Sequence, residues 1–577
     1  MIDCPHGDRC SGCTQLGVPY AEQLAFKHRR LALALAPHPE LGAVSARPTA
    51  PADPITGYRT RVKWMAGPDG SLGLFARGED HAVVDIPACR VVSPALALVG
   101  QALRELRASP GWLRERLRAV DLREVQTPQG SRVLVTLVVE AARGLPAPVR
   151  EATQAARLLA ARRPEVIGVA LNVTAPGAPQ VLGPTTIVVH GVERADDELG
   201  DGAVEATFGS FVQAHRGVAV RMRAELAAAA EGPVLELYGG SGSTGLTIAR
   251  RGFAVTSVES YAPASAAAGE RAAREGLAFT AVAGEAASVA ADERPGAFDL
   301  VVVNPPRRGL EPEVRRAIGR LGPRAVAYMS CDPATLARDL AHLARLGYVA
   351  RGELGPNDMI PLTDEVETLA VLVRGAAPAP VVLGERAGLV AVAKAGHESV
   401  RALTARVRRM AGYEGATALH DPGDEVSGPV VFALAGGEAQ LAAARVAVAA
   451  GESRWVVLAR GATPRGGTVR RPAGRGREGS VKFRKRDRWL GHSLLELQVT
   501  RHEPRRLGAL FRELGHPLVG DAQDAATARF FFDRHGLDRL FLHGEGLRFV
   551  PPGETEVWAI EVPGPADLPL PASPRLG

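Results

Sequence analysis

Long apolar runs are missing from this chain. None of its 577 residues falls in a stretch approaching the roughly 18 apolar residues a helical membrane span needs, which excludes such a span. The amino terminus reads MIDCPHGDRC, without the charged and then apolar order of a secretory signal. A cytoplasmic location is therefore expected. Surplus charge is also scarce. A net charge of +6 and a pI near 9.2 are small for this length, so charge alone does not mark a polyanion-binding protein. Lysine is sparse against arginine, and alanine and glycine are plentiful, as a GC-rich genome produces without selection for phosphate contacts. Cysteine is the scarcest informative residue, with five in the whole chain. What is abundant is core material: 46% hydrophobic content suffices for about three or four domains of roughly 100–200 residues each.

Four of the five cysteines read as a set. Cys4, Cys10 and Cys13 stand in CPHGDRCSGC, and the next is Cys89 in VVDIPACR. Three close thiols and a distant fourth follow the arithmetic of a four-thiolate metal site, and a reducing compartment disfavours disulfides. Spacing alone leaves both tetrahedral zinc and an iron–sulfur cluster open. The fifth, Cys331, follows the buried-strand pattern Arg324 to Ser330 and precedes the helix start DPATLARDL, so it is either a reactive thiol or core filling.

From 205 to 375, β-like runs alternate with helix-like segments: PVLELYGG, AVTSVES, FDLVVVNPP, AVAYMS and ETLAVLVR. That alternation predicts an α/β fold with a mostly parallel, doubly wound sheet, whose ligands bind beyond the carboxyl ends of the strands. Gly240, Gly242 and Gly245 fit G-x-G-x-x-G after the first strand. Glu259 closes the next strand about 20 residues on, placed to accept hydrogen bonds from ribose hydroxyls. These features suit NAD and S-adenosylmethionine alike. The prolines of NPPRRG restrict the chain and direct Asn304 toward the crevice. Cys331 and Glu367, at neighbouring strand ends, make a plausible nucleophile and base.

Taken together, the cysteine cluster, GYRTRVKW, GSFVQAH, VLELYGGSGSTG, VVVNPPRRGL, SCDPATLARDL and DMIPLTDEVE resemble, in order, the RNA (uracil-5-)-methyltransferase family of tRNA and 23S ribosomal RNA enzymes. The resemblance runs from Cys4 to about Arg374. It implies a Rossmann-like class I methyltransferase fold, an RNA substrate, S-adenosylmethionine as methyl donor and a [4Fe-4S] cluster on Cys4, Cys10, Cys13 and Cys89. It implies cofactor contacts at Gln213, Tyr238, Ser243, Glu259 and Asn304, with Cys331 as nucleophile and Glu367 as base. The chemistry supplies its own reason for these two. Carbon 5 of uracil is a poor nucleophile until a thiolate adds to carbon 6, and the carbon 5 proton must afterwards be removed. The target base must also leave its stack. Two positions depart from the family pattern: Asn304 replaces an aspartate and His215 an asparagine. The chain begins at the cysteine cluster, so the small amino-terminal RNA-binding β-barrel of some members is expected to be absent. RNA contacts then fall to segments such as residues 40 to 200, with Arg59, Arg61 and Lys63 at their start, the competing reading of these three being a solvated strand face.

After the linker-like RGAAPAPVV, the segments LLELQVTRHEPRRLGALFRELGHPLVGD and LFLHGEGLRF resemble RNA pseudouridine synthases. That family's H-R-L-D signature aligns with HDPGDEVSG, His420 to Gly428, where Gly423 takes the aspartate position and Asp421 and Asp424 lie nearby. The GRTHQIR element is replaced by HEPRRLG, His502 to Gly508. A degenerate, inactive α+β synthase domain is expected. The basic segment Thr463 to Arg488 suits either phosphate tracking or a solvated loop. The expected organisation is an iron–sulfur region over 1–95, a central RNA-binding region over 96–204, a methyltransferase domain over 205–375 and a synthase-like domain over 381–577, with no stable protein partner. Competing readings are pseudouridine formation by the last domain, a non-catalytic RNA-binding factor, and a nicotinamide oxidoreductase, which leaves SCDP and Glu367 without a role.

Overall fold

Strands β1 (Arg61–Ala66), β2 (Leu72–Phe75), β3 (Val83–Asp85), β4 (Leu117–Thr127), β5 (Gly130–Glu140), β6 (Val166–Thr174) and β7 (Thr185–Gly191) form one sheet in the order β3-β2-β1-β4-β5-β6-β7. The structure is a computed structural model. It describes residues 2–568 apart from 79–80, 109–112, 114–115, 141–145, 179, 473–477 and 502–503. The division expected at residues 95/96 is not a break in this fold. β1 pairs along its length with β4, from Arg61↔Arg123 to Met65↔Ala119, and Val62, Trp64 and Leu72 share one core with Leu103, Leu137 and Leu171. A ribbon of β8 (Arg194–Glu198) and β9 (Ala203–Thr207) follows.

The central sheet holds β10 (Val234–Leu237), β11 (Val255–Glu259), β12 (Phe279–Ala283), β13 (Leu300–Val303), β14 (Ala325–Ser330), β15 (Tyr348–Ala350), β16 (Gly355–Asn357) and β17 (Glu367–Arg374). Its order is β12-β11-β10-β13-β14-β17-β15, with β16 also beside β17. β10 to β14 run parallel to their neighbours and β17 runs antiparallel to β14. The reason lies in the composition. LVVV of β13 and AVAYMS of β14 are buried at every position, as strands covered on both faces must be.

One face of this sheet packs against Leu31, Leu35 and Leu41 of the amino-terminal segment, the other against Met222 and Leu226. Residues 20–41 therefore belong spatially to the central sheet. Leu31 is fully buried there, worth about 1.5–3 kcal/mol relative to exposure. A second anchor is the fully buried pair Lys27 and Asp358, where Lys27 also donates to the Ile360 carbonyl (3.0 Å) and Tyr20 donates to Asp358 (2.8 Å).

Beyond the unstructured connection at 375–381, the carboxyl-terminal region builds a four-stranded and a six-stranded antiparallel sheet. The basic segment is largely strand. Gly466–Pro472 and Glu478–Trp489 form the edge of the larger sheet, while 473–477 lie outside the described residues. His502 and Glu503 of the HEPRRLG element also lie outside them. Among the described residues no helix is long and apolar enough to cross a membrane.

Candidate active site

All seven residues expected to bind the cofactor or do chemistry line one cavity of about 610 Å³. Tyr238, Asn304 and Cys331 each follow the carboxyl end of a parallel strand, and Glu259 ends β11. Gln213 precedes the Arg216–Ala227 helix and Ser243 opens the Ser243–Arg250 helix. Glu367 begins β17, which runs the other way, so it arrives at the same edge of the sheet. The cavity lies where the strand order reverses around β10, the switch point at which such sheets bind ligands.

The glycine turn is built for close approach. Gly242 has φ 72° and caps the Ser243–Arg250 helix. A Cβ on Gly245 would sit 2.4 Å from Glu236 Oε2. Glu236 is buried and pushed up to about 7 by that burial, opposed by hydrogen bonds from the Ser257 hydroxyl (2.5 Å) and the Gly245 N–H (3.0 Å). This carboxyl pins turn to strand. Glu259 accepts from the N–H of Gly240 (2.8 Å) and of Tyr261 (2.7 Å), one on each oxygen, which leaves lone pairs for a ligand hydroxyl. Among the described residues the Tyr238 hydroxyl, buried in the cavity wall, has no hydrogen-bond partner, and Gln213 Nε2 meets the Met329 sulfur (3.4 Å). Such orphaned polar groups suit a polar ligand.

Cys331 stands between strand and helix. Asp332 caps the Pro333–Arg345 helix by accepting from the Thr335 N–H (2.9 Å), and Pro333 fixes its first turn. Antiparallel pairing of β14 with β17 ends at Ser330↔Thr368. One step further sets Cys331 opposite Glu367. Burial pushes the Cys331 thiol up to about 12, helped by the Glu367 charge and opposed by Arg307. Burial likewise raises Glu367 to about 8, again opposed by Arg307. Both groups are therefore protonated at rest near neutrality, and Arg307 is the cation that favours ionising either. Arg307 is held by Glu365 at 2.8 Å.

Cys4, Cys10, Cys13 and Cys89 line a second cavity, of about 100 Å³. Burial raises Cys13 to about 12, and each of the other three thiols adds to the rise, so the four are electrostatic neighbours. Among the described residues no group of three or more His, Cys, Asp or Glu converges into a set that could hold a metal ion.

The structure explains one departure and redirects one expectation. His215 caps the Arg216–Ala227 helix through Nδ1, which accepts from the Val218 N–H (3.3 Å), and stacks on Tyr58 at 5.2 Å. Arg61 is not a free strand-face cation, because it forks onto Asp121 (2.9 Å from Nε) and also meets the Ser210 carbonyl. Sequence reasoning passed over Glu236, Arg307, Arg308 and Glu365. An acid inside the apolar run VLEL was the visible signal for the first.

The family model described as tRNA (Uracil-5-)-methyltransferase matches residues 202–375. An uncharacterized RNA methyltransferase of Gloeobacter violaceus is 32% identical, over 64% of this chain and 82% of that protein. The 23S rRNA (uracil(1939)-C(5))-methyltransferase RlmD of Pseudomonas fluorescens is 33% identical, over 64% of this chain and 79% of that protein. Among solved structures, the Pyrococcus abyssi tRNA (uracil-54, C5)-methyltransferase in complex with S-adenosyl-L-homocysteine superposes with a TM-score of 0.50 and 25% identity, covering 63% of this chain and 86% of its own. With a mixed α/β fold, a cavity at the switch point and relatives of this identity and coverage, the chain belongs to the RNA (uracil-5-)-methyltransferase family.

Proposed function

We propose that this protein transfers a methyl group from S-adenosylmethionine to carbon 5 of a uridine in ribosomal RNA or tRNA, through a covalent adduct with Cys331. The observation that carries the reading is that Cys331 and Glu367 lie at adjoining ends of β14 and β17, close enough for the Glu367 charge to raise the thiol, inside one cavity with every residue expected to contact the cofactor. S-adenosylmethionine supplies an electrophilic methyl group on sulfonium sulfur. In a Rossmann-like class I arrangement, Glu259 would hold the ribose hydroxyls, Tyr238 and Gln213 the polar rim, and Ser243 and Asn304 the remaining contacts. Asn304 is neutral where the family pattern has a charge, so it contributes a hydrogen bond without ionic attraction. Once the Cys331–Glu367 pair has lost one proton to solvent, Cys331 would add as thiolate to carbon 6 of a flipped uridine, the resulting enolate would take the methyl group at carbon 5 as the S–CH3 bond breaks and S-adenosylhomocysteine leaves, and Glu367, as carboxylate, would remove the carbon 5 proton so that elimination frees the thiolate.

We propose further that Cys4, Cys10, Cys13 and Cys89 would hold a [4Fe-4S] cluster. What supports the reading is that four thiols line one cavity and that each of the other three raises Cys13. When bound, the cluster cross-links the amino-terminal segment to the loop carrying Cys89. Anaerobic reconstitution with iron and sulfide tests this, and uptake of a single zinc instead overturns it.

The carboxyl-terminal region reads as a pseudouridine synthase-like fold without the catalytic carboxylate. Gly423 stands at that position with φ 106°, a conformation hostile to an aspartate. Asp421 is spent on Arg505 and on the Gly423 N–H (2.9 Å). Its basic edge hairpin is left to contact RNA phosphates in the cytoplasm. Nucleoside mass spectrometry of tRNA and ribosomal RNA, with and without the gene, tests the whole reading. Loss of 5-methyluridine from one RNA class supports it. Loss of a pseudouridine with 5-methyluridine unchanged overturns it.

A further inference from the structure

The two segments that carry the proposed chemistry are gripped from behind by the carboxyl-terminal region. The Ala525–His535 helix ends against them. Arg308, in the turn that follows Asn304 and in the cavity wall, pairs with Asp533 (3.0 Å) and with Glu311 (3.1 Å), its guanidinium lying 5.3 Å from the centre of the Phe532 ring. Arg338, on the helix that starts two residues after Cys331, donates to the Gly536 carbonyl and to the Arg308 carbonyl (2.9 Å). Thr335 on the same helix donates to the Arg307 carbonyl (2.9 Å).

Beneath these contacts lies a balanced buried network. Arg315 meets Asp339 (2.7 Å) and Asp538, Arg338 meets Asp339 (2.8 Å) and Asp538 (3.4 Å), and His397 Nε2 lies 3.2 Å from Asp538. Two arginines face two aspartates, all at most 7% exposed, and Asp538 and His397 come from the carboxyl-terminal region. Steric fit is equally close. Gly536 has φ 65°, and a Cβ there would sit 2.9 Å from Thr335 Cγ2. A mere tether between two folded units has no need to touch the Asn304–Arg308 turn and the first turn after Cys331 together.

Building on the assignment of Cys331 and Asn304 above, we infer that the carboxyl-terminal region is a positioning element for methyl transfer. Asp533, Gly536 and Asp538 hold the Asn304–Arg308 turn and the Cys331-bearing helix start in the geometry the reaction needs. This gives a fused domain that lacks its own catalytic carboxylate a defined part in the methyltransferase site.

The test uses the full-length chain and four variants: Asp533→Ala, Gly536→Ala, Thr335→Ser, and Gly536→Ala combined with Thr335→Ser. The serine keeps the hydroxyl and deletes the methyl group that a Cβ at 536 strikes. Displacing the catalytic segments by a fraction of an ångström to an ångström should lower kcat roughly 10- to 100-fold in Asp533→Ala and Gly536→Ala, with KM for RNA changed far less. Thr335→Ser alone should match the wild type. The double variant should recover most of kcat while its melting temperature stays lowered, because the left-handed strain at 536 remains. Unchanged kcat in Asp533→Ala and Gly536→Ala, or a Gly536→Ala loss that tracks melting temperature and is not rescued by Thr335→Ser, overturns the inference. Methylation by the wild type is read separately, and its absence removes the underlying assignment and this inference with it.

Discussion

The pairing of a thiol at about 12 with a carboxyl at about 8 sets a pH dependence that can be worked through. Addition to uracil needs the pair to have lost one proton, wherever the remaining proton sits, because thiolate beside carboxylic acid and thiol beside carboxylate are the same protonation state. The first loss belongs near 8. With that value the once-deprotonated fraction is about 0.09 at pH 7 and about 0.9 at pH 9, so kcat/KM should rise about tenfold between them and level above pH 9. In Glu367→Gln the first loss becomes the thiol's own. The neighbouring charge that raised Cys331 is gone, but burial, its larger cause, stays. Adduct formation in the variant should therefore climb through pH 9 without levelling, and the adduct should accumulate because the carbon 5 proton has no acceptor. The assay is single-turnover formation of the protein–RNA adduct on denaturing gels, from pH 6 to 9.5 at constant ionic strength. A wild-type rate flat from pH 6 to 8.5, or a folded Glu367→Gln protein that forms no adduct at any pH, would refute the assigned roles.

Cys331→Ala should retain binding of S-adenosylhomocysteine, measured by calorimetry, and lose methylation entirely. Gly245→Ala drives a methyl group to within 2.4 Å of Glu236 Oε2 and should weaken S-adenosylhomocysteine binding by roughly tenfold or more, as overpacking costs about 1–3 kcal/mol. Lys27→Met leaves the Asp358 charge buried without its cation, with the Tyr20 hydroxyl still donating to it, and should cost about 3–5 kcal/mol in denaturant unfolding, much of it recovered when Asp358→Asn is added. Glu367→Gln should also raise the melting temperature at pH 9 and leave it unchanged below about pH 4.5. The folded value of Glu367 is raised, so its ionisation opposes folding, an effect absent below the unfolded value and complete only once pH passes about 8.

What was legible in the sequence was whatever local pattern encodes. AVAYMS before a cysteine and DPATL after it announce a buried strand and a capped helix, and both stand where expected. The glycine turn and the place of Glu259 at a strand end were legible because close backbone approach demands glycine and the β pattern stops there. What was not legible depends on pairing between distant segments. The placing of Arg61 follows from β1 meeting β4, which sets Asp121 within reach, and no feature of GYRTRVKW states that. For the same reason the break expected near residue 95 was misplaced: β-ladder partners 60 residues apart leave no mark in composition. Glu236 was passed over because one acid in an apolar run reads as noise until the Gly245 N–H and the Ser257 hydroxyl are seen to meet it.

The two raised values in the active site also bear on why its walls need support. A buried thiol and a buried carboxyl are each neutral at rest, so no ion pair between the two holds them in register. Their alignment must come from the backbone: the β14 and β17 ladder on one side, and the capped Pro333–Arg345 helix on the other. A helix start is held by its first turn, and here that turn is fixed by Asp332 capping Thr335, by Thr335 bonding the Arg307 carbonyl, and by Arg338 reaching into the carboxyl-terminal region. Neutral groups at the centre thus shift the electrostatic work outward, to the Arg315, Arg338, Asp339 and Asp538 network, where the buried charges pair with one another away from Cys331 and Glu367.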